Sequence, residues 1–65
     1  MVTVRLVIGD RLDAIAWTNK GAALHVLKRY AEAIETYDRA LAIDASDEYA
    51  LRGRNLAIDG LKAGG

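Results

Sequence analysis

Cysteine is absent from the 65-residue sequence, so neither a disulfide nor a thiolate metal site holds the fold. A single histidine does not make a metal cage. An excess of either charge is lacking too: nine basic residues stand against nine acidic ones, for a formal net charge of zero. That balance argues against nucleic acid held by phosphate neutralisation and against an anionic membrane surface. It also removes the self-repulsion that keeps chains apart, which favours self-association. No apolar run reaches about 18 residues, so no segment is suited to spanning a bilayer. The apolar opening VTVRLVI is short, carries Arg5 within it and lacks the order of a signal peptide. The expectation is an intracellular, cytoplasmic protein. A nucleophile–base pair, a carboxylate pair and a glycine-rich phosphate loop are missing as well, which argues against an enzyme and against any cofactor.

A chain this short buries only about 60% of the surface its unfolded form exposes. With no disulfide or metal to help, association with another chain is the remaining source of stability.

What is present is helical periodicity. Residues 1–9 leave three readings open. Val2, Val4, Leu6 and Ile8 alternate with Thr3, Arg5 and Val7, as in a strand. A shift of about 34 residues instead lays Arg5 on Arg39, Val7 on Leu41, Asp10 on Asp44 and Trp17 on Leu51, which makes the segment the end of a helix. Disorder is the third. Gly9-Asp10 reads as a break, with Asp10 or Asp13 capping a first helix over about 12–27. Trp17, Gly21, Leu24 and Leu27 share one face of it. A second helix spans about 31–43, with Ala33, Tyr37 and Ala40 in a stripe that Ile34, Leu41 and Ile43 widen. Glu35 and Arg39 stand four apart with the acid first, the favourable order for an exposed pair. The stretch DASD at 44–47 breaks the helix, and Ser46 or Asp47 caps a third over about 48–62. There Leu51, Asn55, Ile58 and Leu61 repeat the phase of the first helix, and Gly53 and Gly60 each weaken it by roughly 1 kcal/mol against alanine.

Residues 14–47 resemble a tetratricopeptide repeat, a helix–turn–helix of about 34 residues. Trp17 stands at the aromatic position of the first helix, Gly21 at the small crossing position and Leu24 at the large position a turn later. Ala33 and Ala40 take the small positions of the second helix, with Tyr37 the aromatic between them; Tyr30 and Glu32 match its opening. Three residues depart from the pattern: Lys28 replaces the usual glycine of the turn, Ala45 the closing proline, and Asn55 the small residue of the next helix. The resemblance implies an all-α fold, with residues 1–65 forming one domain: an antiparallel hairpin plus the first helix of a following repeat.

It also implies a function. In this family the first helices line a concave groove that binds peptides or partner proteins. Carried over by position, the groove would hold Ile15, Thr18, Asn19, Ala22 and His25 of the first helix, with Tyr49, Arg52, Leu56 and Asp59 of the third. Some members clamp a C-terminal carboxylate with lysine and asparagine side chains. Thr18 and Ala22 stand at two of those places here, so that mode of capture is not expected. Stacked repeats bury their faces on neighbours, and about three are needed for a stable array. The face of Leu51, Ile58 and Leu61 is therefore expected to meet a second copy, most simply in a dimer, either symmetric or swapped across the DASD link. Met1 suggests a complete reading frame, whereas Gly64-Gly65 suggests a cut near a helix end.

Overall fold

The computed structural model describes the backbone of residues 2–64 and the side chains of residues 12–64. Three α-helices follow one another: α1 (Val2–Val26), α2 (Tyr30–Ile43) and α3 (Glu48–Lys62). No strand occurs among the described residues. Cross-helix neighbours fix the directions. Trp17 meets Arg39, Gly21 meets Tyr37 and His25 meets Tyr30, so α1 and α2 are antiparallel. Tyr30 meets Gly60, Tyr37 meets Gly53 and Asp38 meets Arg54, so α3 runs back along α2.

Of the three readings of the opening segment, the helix is observed over residues 2–9; Met1 lies outside the described residues. The break expected at Gly9-Asp10 does not occur. The helix passes through it, and the start expected near Leu12 falls mid-helix. Asp13 is therefore interior and caps nothing. The physical reason is one of degree. Glycine costs a helix roughly 1 kcal/mol but keeps its N–H, so the i→i−4 ladder continues, as it would not through proline.

The turn after α1 closes without glycine. The Lys28 N–H donates to the His25 carbonyl (2.9 Å), and the Arg29 N–H donates to the Leu24 carbonyl (2.9 Å). That pair of bonds is a Schellman closure, whose penultimate residue must turn left-handed. Lys28 does so, with φ 64°. An L side chain there costs roughly 1–2 kcal/mol, part of which glycine would give back as unfolded-state entropy. Lys28→Gly is thus expected to stabilise the fold by about 0.5–1 kcal/mol in urea denaturation, with no gain from Lys28→Ala.

The α2–α3 link is ordered by its own side chains. Asp44 Oδ1 accepts from the Ser46 N–H (3.1 Å) and hydroxyl (2.7 Å). Asp47, rather than Ser46, is the cap of α3: its Oδ1 accepts from the N–H groups of Tyr49 (3.0 Å) and Ala50 (3.2 Å).

The core is built from small residues. Ala33, Ala40, Ala50 and Ala57 are fully buried around Tyr37, which is 3% exposed. Half-buried Trp17, Leu24, Tyr30, Ile34 and Leu41 pack against them. Helix α3 docks on α2 through Ala50, Gly53, Ala57 and Gly60, not through the phase of Leu51 and Ile58. The two glycines expected only to weaken α3 are where it makes its closest approach. A Cβ on Gly53 would fall 2.6 Å from Tyr37 Cε1, and one on Gly60 would fall 2.7 Å from Tyr30 Cζ. Gly21 of α1 meets the same Tyr37 ring, where a Cβ would lie 2.8 Å from Cε1. One aromatic side chain thus fills the space left by glycines on both flanking helices.

The surface pair expected between Glu35 and Arg39 is not formed. The Arg39 guanidinium lies 5.4 Å from the centre of the Trp17 ring, with Lys20 Nζ 5.5 Å from it. A half-buried indole offers a cation more than an exposed carboxylate in water does. Arg54 pairs with Asp38 across α2 and α3 (2.6 Å), and Arg29 with Glu32 at the start of α2 (2.7 Å).

Candidate functional site

Positions 15, 18, 19 and 22 share one face of α1 because three- and four-residue steps return to the same side of a helix. In the folded chain that face looks onto the α2–α3 link. Between them lies an open groove of about 660 Å³. Ala14, Ile15, Thr18, Asn19 and Ala22 line one wall; Asp44, Asp47 and Tyr49 line the other, and Tyr37 reaches it from α2. Among the described residues a hydrogen bond from Thr18 Oγ1 to Asp47 Oδ2 (3.2 Å) ties the two walls together. Asp47 therefore caps α3 with one oxygen and anchors α1 with the other. Ile15 is 55% exposed and Tyr49 is 79% exposed, so both present apolar surface that the chain itself leaves uncovered.

Of the nine residues expected to face a groove, five surround this one: Ile15, Thr18, Asn19, Ala22 and Tyr49. The other four are elsewhere. Arg52 and Leu56 line a separate shallow hollow on α3, beside Glu48, Leu51 and Asn55. His25 stands edge-on to the Tyr30 ring near the α1–α2 turn, centroids 5.5 Å apart. Asp59 is exposed and borders neither hollow. Reading by sequence position missed Asp44, Asp47 and the edge of Tyr37. The capping role of Asp47 was readable, since a helix start needs an acceptor. Its place opposite Thr18 depends on how α3 docks, and no local pattern encodes that.

The described lining offers apolar walls, one amide (Asn19), three hydroxyls (Thr18, Tyr37 and Tyr49) and two carboxylates (Asp44 and Asp47). Such a surface can hold a peptide or a helix. Among the described residues, no group of three or more His, Cys, Asp or Glu side chains is placed to hold a metal ion. No helix of the described residues is long and apolar enough to cross a membrane.

Burial raises the Tyr37 hydroxyl above its ordinary value of 10.0, because the phenolate would be poorly solvated there. The unfolded chain then ionises first. The stability that Tyr37 confers is complete below pH 10.0 and declines as pH rises toward the folded-state value. Alkaline melts of the native chain should show this loss, and Tyr37→Phe should remove that component.

A family model for the tetratricopeptide repeat matches residues 14–47. No curated protein and no solved structure gives a match to the chain. The matched span covers more than half of the sequence and takes in the second half of α1, all of α2 and the link to α3; within it Gly21, Ala33, Tyr37 and Ala40 are buried at the crossing and Trp17 and Leu24 pack beside them: the chain belongs to the tetratricopeptide repeat family.

Proposed function

We propose that the chain is a protein-interaction module, one helical domain over residues 1–65, that takes a segment of a partner protein into the groove between α1 and the α2–α3 link. Tetratricopeptide repeats generally mediate protein–protein interaction and are typically non-catalytic. The observation that supports this reading is the joining of five groove-position residues around one open cleft with uncovered apolar walls. The expected setting is the cytoplasm, with neither nucleic acid nor membrane as partner. Peptides selected from a random displayed library test it. Ile15→Glu and Tyr49→Ala should each weaken the selected peptides about tenfold, while both exposed sites leave the thermal midpoint in place. Unchanged affinity in both variants would refute groove binding.

A second reading is self-assembly. Leu51 is 41% exposed and Leu61 43%, and Ile58 is half-buried, so this face of α3 keeps apolar surface uncovered. A symmetric dimer would cover that face. Swapping across the DASD link has less support, since Asp44 and Asp47 hold the link as a capped turn. Sedimentation decides between the readings: Leu51→Glu should dissolve an assembly, but leave a groove-bound peptide untouched.

A further inference from the structure

Helix α1 is apolar on two opposite faces. One face, with Ala14, Trp17, Gly21 and Leu24, packs into the hairpin. The other carries Leu12, Ile15, Asn19, Ala22 and Val26, all exposed, Leu12 by 62% and Val26 by 80%. A helix that is apolar all round is ordinarily covered all round. The exposed set recurs in steps of three, four, three and four residues. That is the a/d spacing of a two-stranded coiled coil, narrower than the stripe a helix turns toward a globular core. We propose that this seam pairs with the same seam of a second copy, as a short parallel coiled coil in which Asn19 of one chain meets Asn19 of the other. Asn19 is what identifies the occupant. Its side-chain amide stands among four apolar residues and makes no hydrogen bond among the described residues. An amide both donates and accepts, so a copy of itself at the same height satisfies it. A register that sets it against Ile15 or Ala22 leaves it buried and unpaired. Within residues 12–26 the positions beside the seam are Ala16, Thr18, Ala23 and His25. At neutral pH none of these sets like charges face to face between identical chains, and none supplies the charge pattern that would select a different sequence. Counting back along α1, Ile8 takes the next seam position and Arg5 the one before it, where the apolar spacing ends. A seam of about two heptads covers less than a standard interface, which puts the pair in the weak class. Dilute chains are then monomers and concentrated chains pair. The pairing does not depend on groove binding, but Ile15, Asn19 and Ala22 also line the groove, so a paired chain is closed to a peptide.

The test is sedimentation equilibrium of the whole chain from micromolar to millimolar concentration. The native chain should pass from monomer to dimer. Asn19→Asp and Asn19→Lys each set like charges against one another and should self-associate at least about tenfold more weakly; mixed together, the two variants should pair again. Circular dichroism should show both folded, since Asn19 is exposed in the single chain. Leu51→Glu, on α3, should leave the transition in place. Val26→Cys should link two chains on oxidation, because a parallel pair brings these positions together, whereas an antiparallel pair holds them about 15 Å or more apart. A native chain that stays monomeric at millimolar concentration would overturn the pairing and leave groove binding standing. A dimer that Leu51→Glu dissolves and both Asn19 variants leave intact would move the contact to α3 and overturn it as well. No recovery in the mixture would overturn the facing Asn19 residues, and no cross-link the parallel arrangement. A dimer that meets every one of these expectations, in a chain whose groove selects no peptide, would keep the pairing and remove groove binding.

Discussion

Tyr37→Ala is expected to cost about 3–5 kcal/mol, the range for deleting a buried aromatic side chain. For a chain of this size that is comparable to the whole stability, and the variant should be largely unfolded by far-UV circular dichroism at room temperature. The size of the effect follows from what else is in the core. Its other fully buried members are alanines, which have little to lose. Tyr37 alone touches glycines on both neighbours, Gly21 of α1 and Gly53 of α3, so its loss opens two helix contacts at once. Tyr37→Phe keeps the ring and should stay within about 1 kcal/mol of the native chain, because among the described residues the hydroxyl makes no hydrogen bond.

Gly53→Ala is the second large effect, and its sign is the informative part. Helix propensity alone favours alanine by roughly 1 kcal/mol. Here the new methyl would lie 2.6 Å from Tyr37 Cε1, so the ring or α3 must move, which typically costs about 1–3 kcal/mol. The net expectation is a loss of about 1–2 kcal/mol in urea denaturation. In a background where position 37 is a smaller leucine, the obstacle is gone, and the same substitution should become neutral or stabilising. A double-mutant cycle over positions 37 and 53 measures that reversal as a coupling energy. A stabilising Gly53→Ala in the native background would mean that α3 does not dock on Tyr37.

Much of this was legible in the sequence, for a physical reason. Helices announce themselves by spacing, and the knob-and-gap set of Trp17, Gly21, Leu24, Ala33, Tyr37 and Ala40 specifies one way for two helices to cross. The bounds of α2 and α3 followed closely from the phase change at Lys28 and from the acids of the DASD link. The opening helix was harder, because β-branched alternation and a Gly-Asp pair mimic a strand and a break. The face by which α3 docks on α2 was not read from the sequence, for a different reason. Alanine and glycine carry little hydrophobic signal, so Ala50, Gly53, Ala57 and Gly60 looked like filler beside Leu51 and Ile58. Their function is to be small: they let a backbone approach two tyrosine rings. The groove was half legible on the same grounds. Helical spacing collects Ile15, Thr18, Asn19 and Ala22, but only the docked position of α3 brings Asp47 to Thr18 and turns Arg52 and Leu56 toward another hollow.

Everything proposed for the groove depends on α3 being docked on the hairpin through Tyr37. Nuclear Overhauser effects from the Tyr37 ring protons test that docking directly. Cross-peaks to the Hα protons of both Gly21 and Gly53, with both sets of Hα shifts displaced by the ring, are the expected result. Cross-peaks to Gly21 alone, with α3 resonances averaged toward random-coil values, would contradict it and leave the hairpin without a groove.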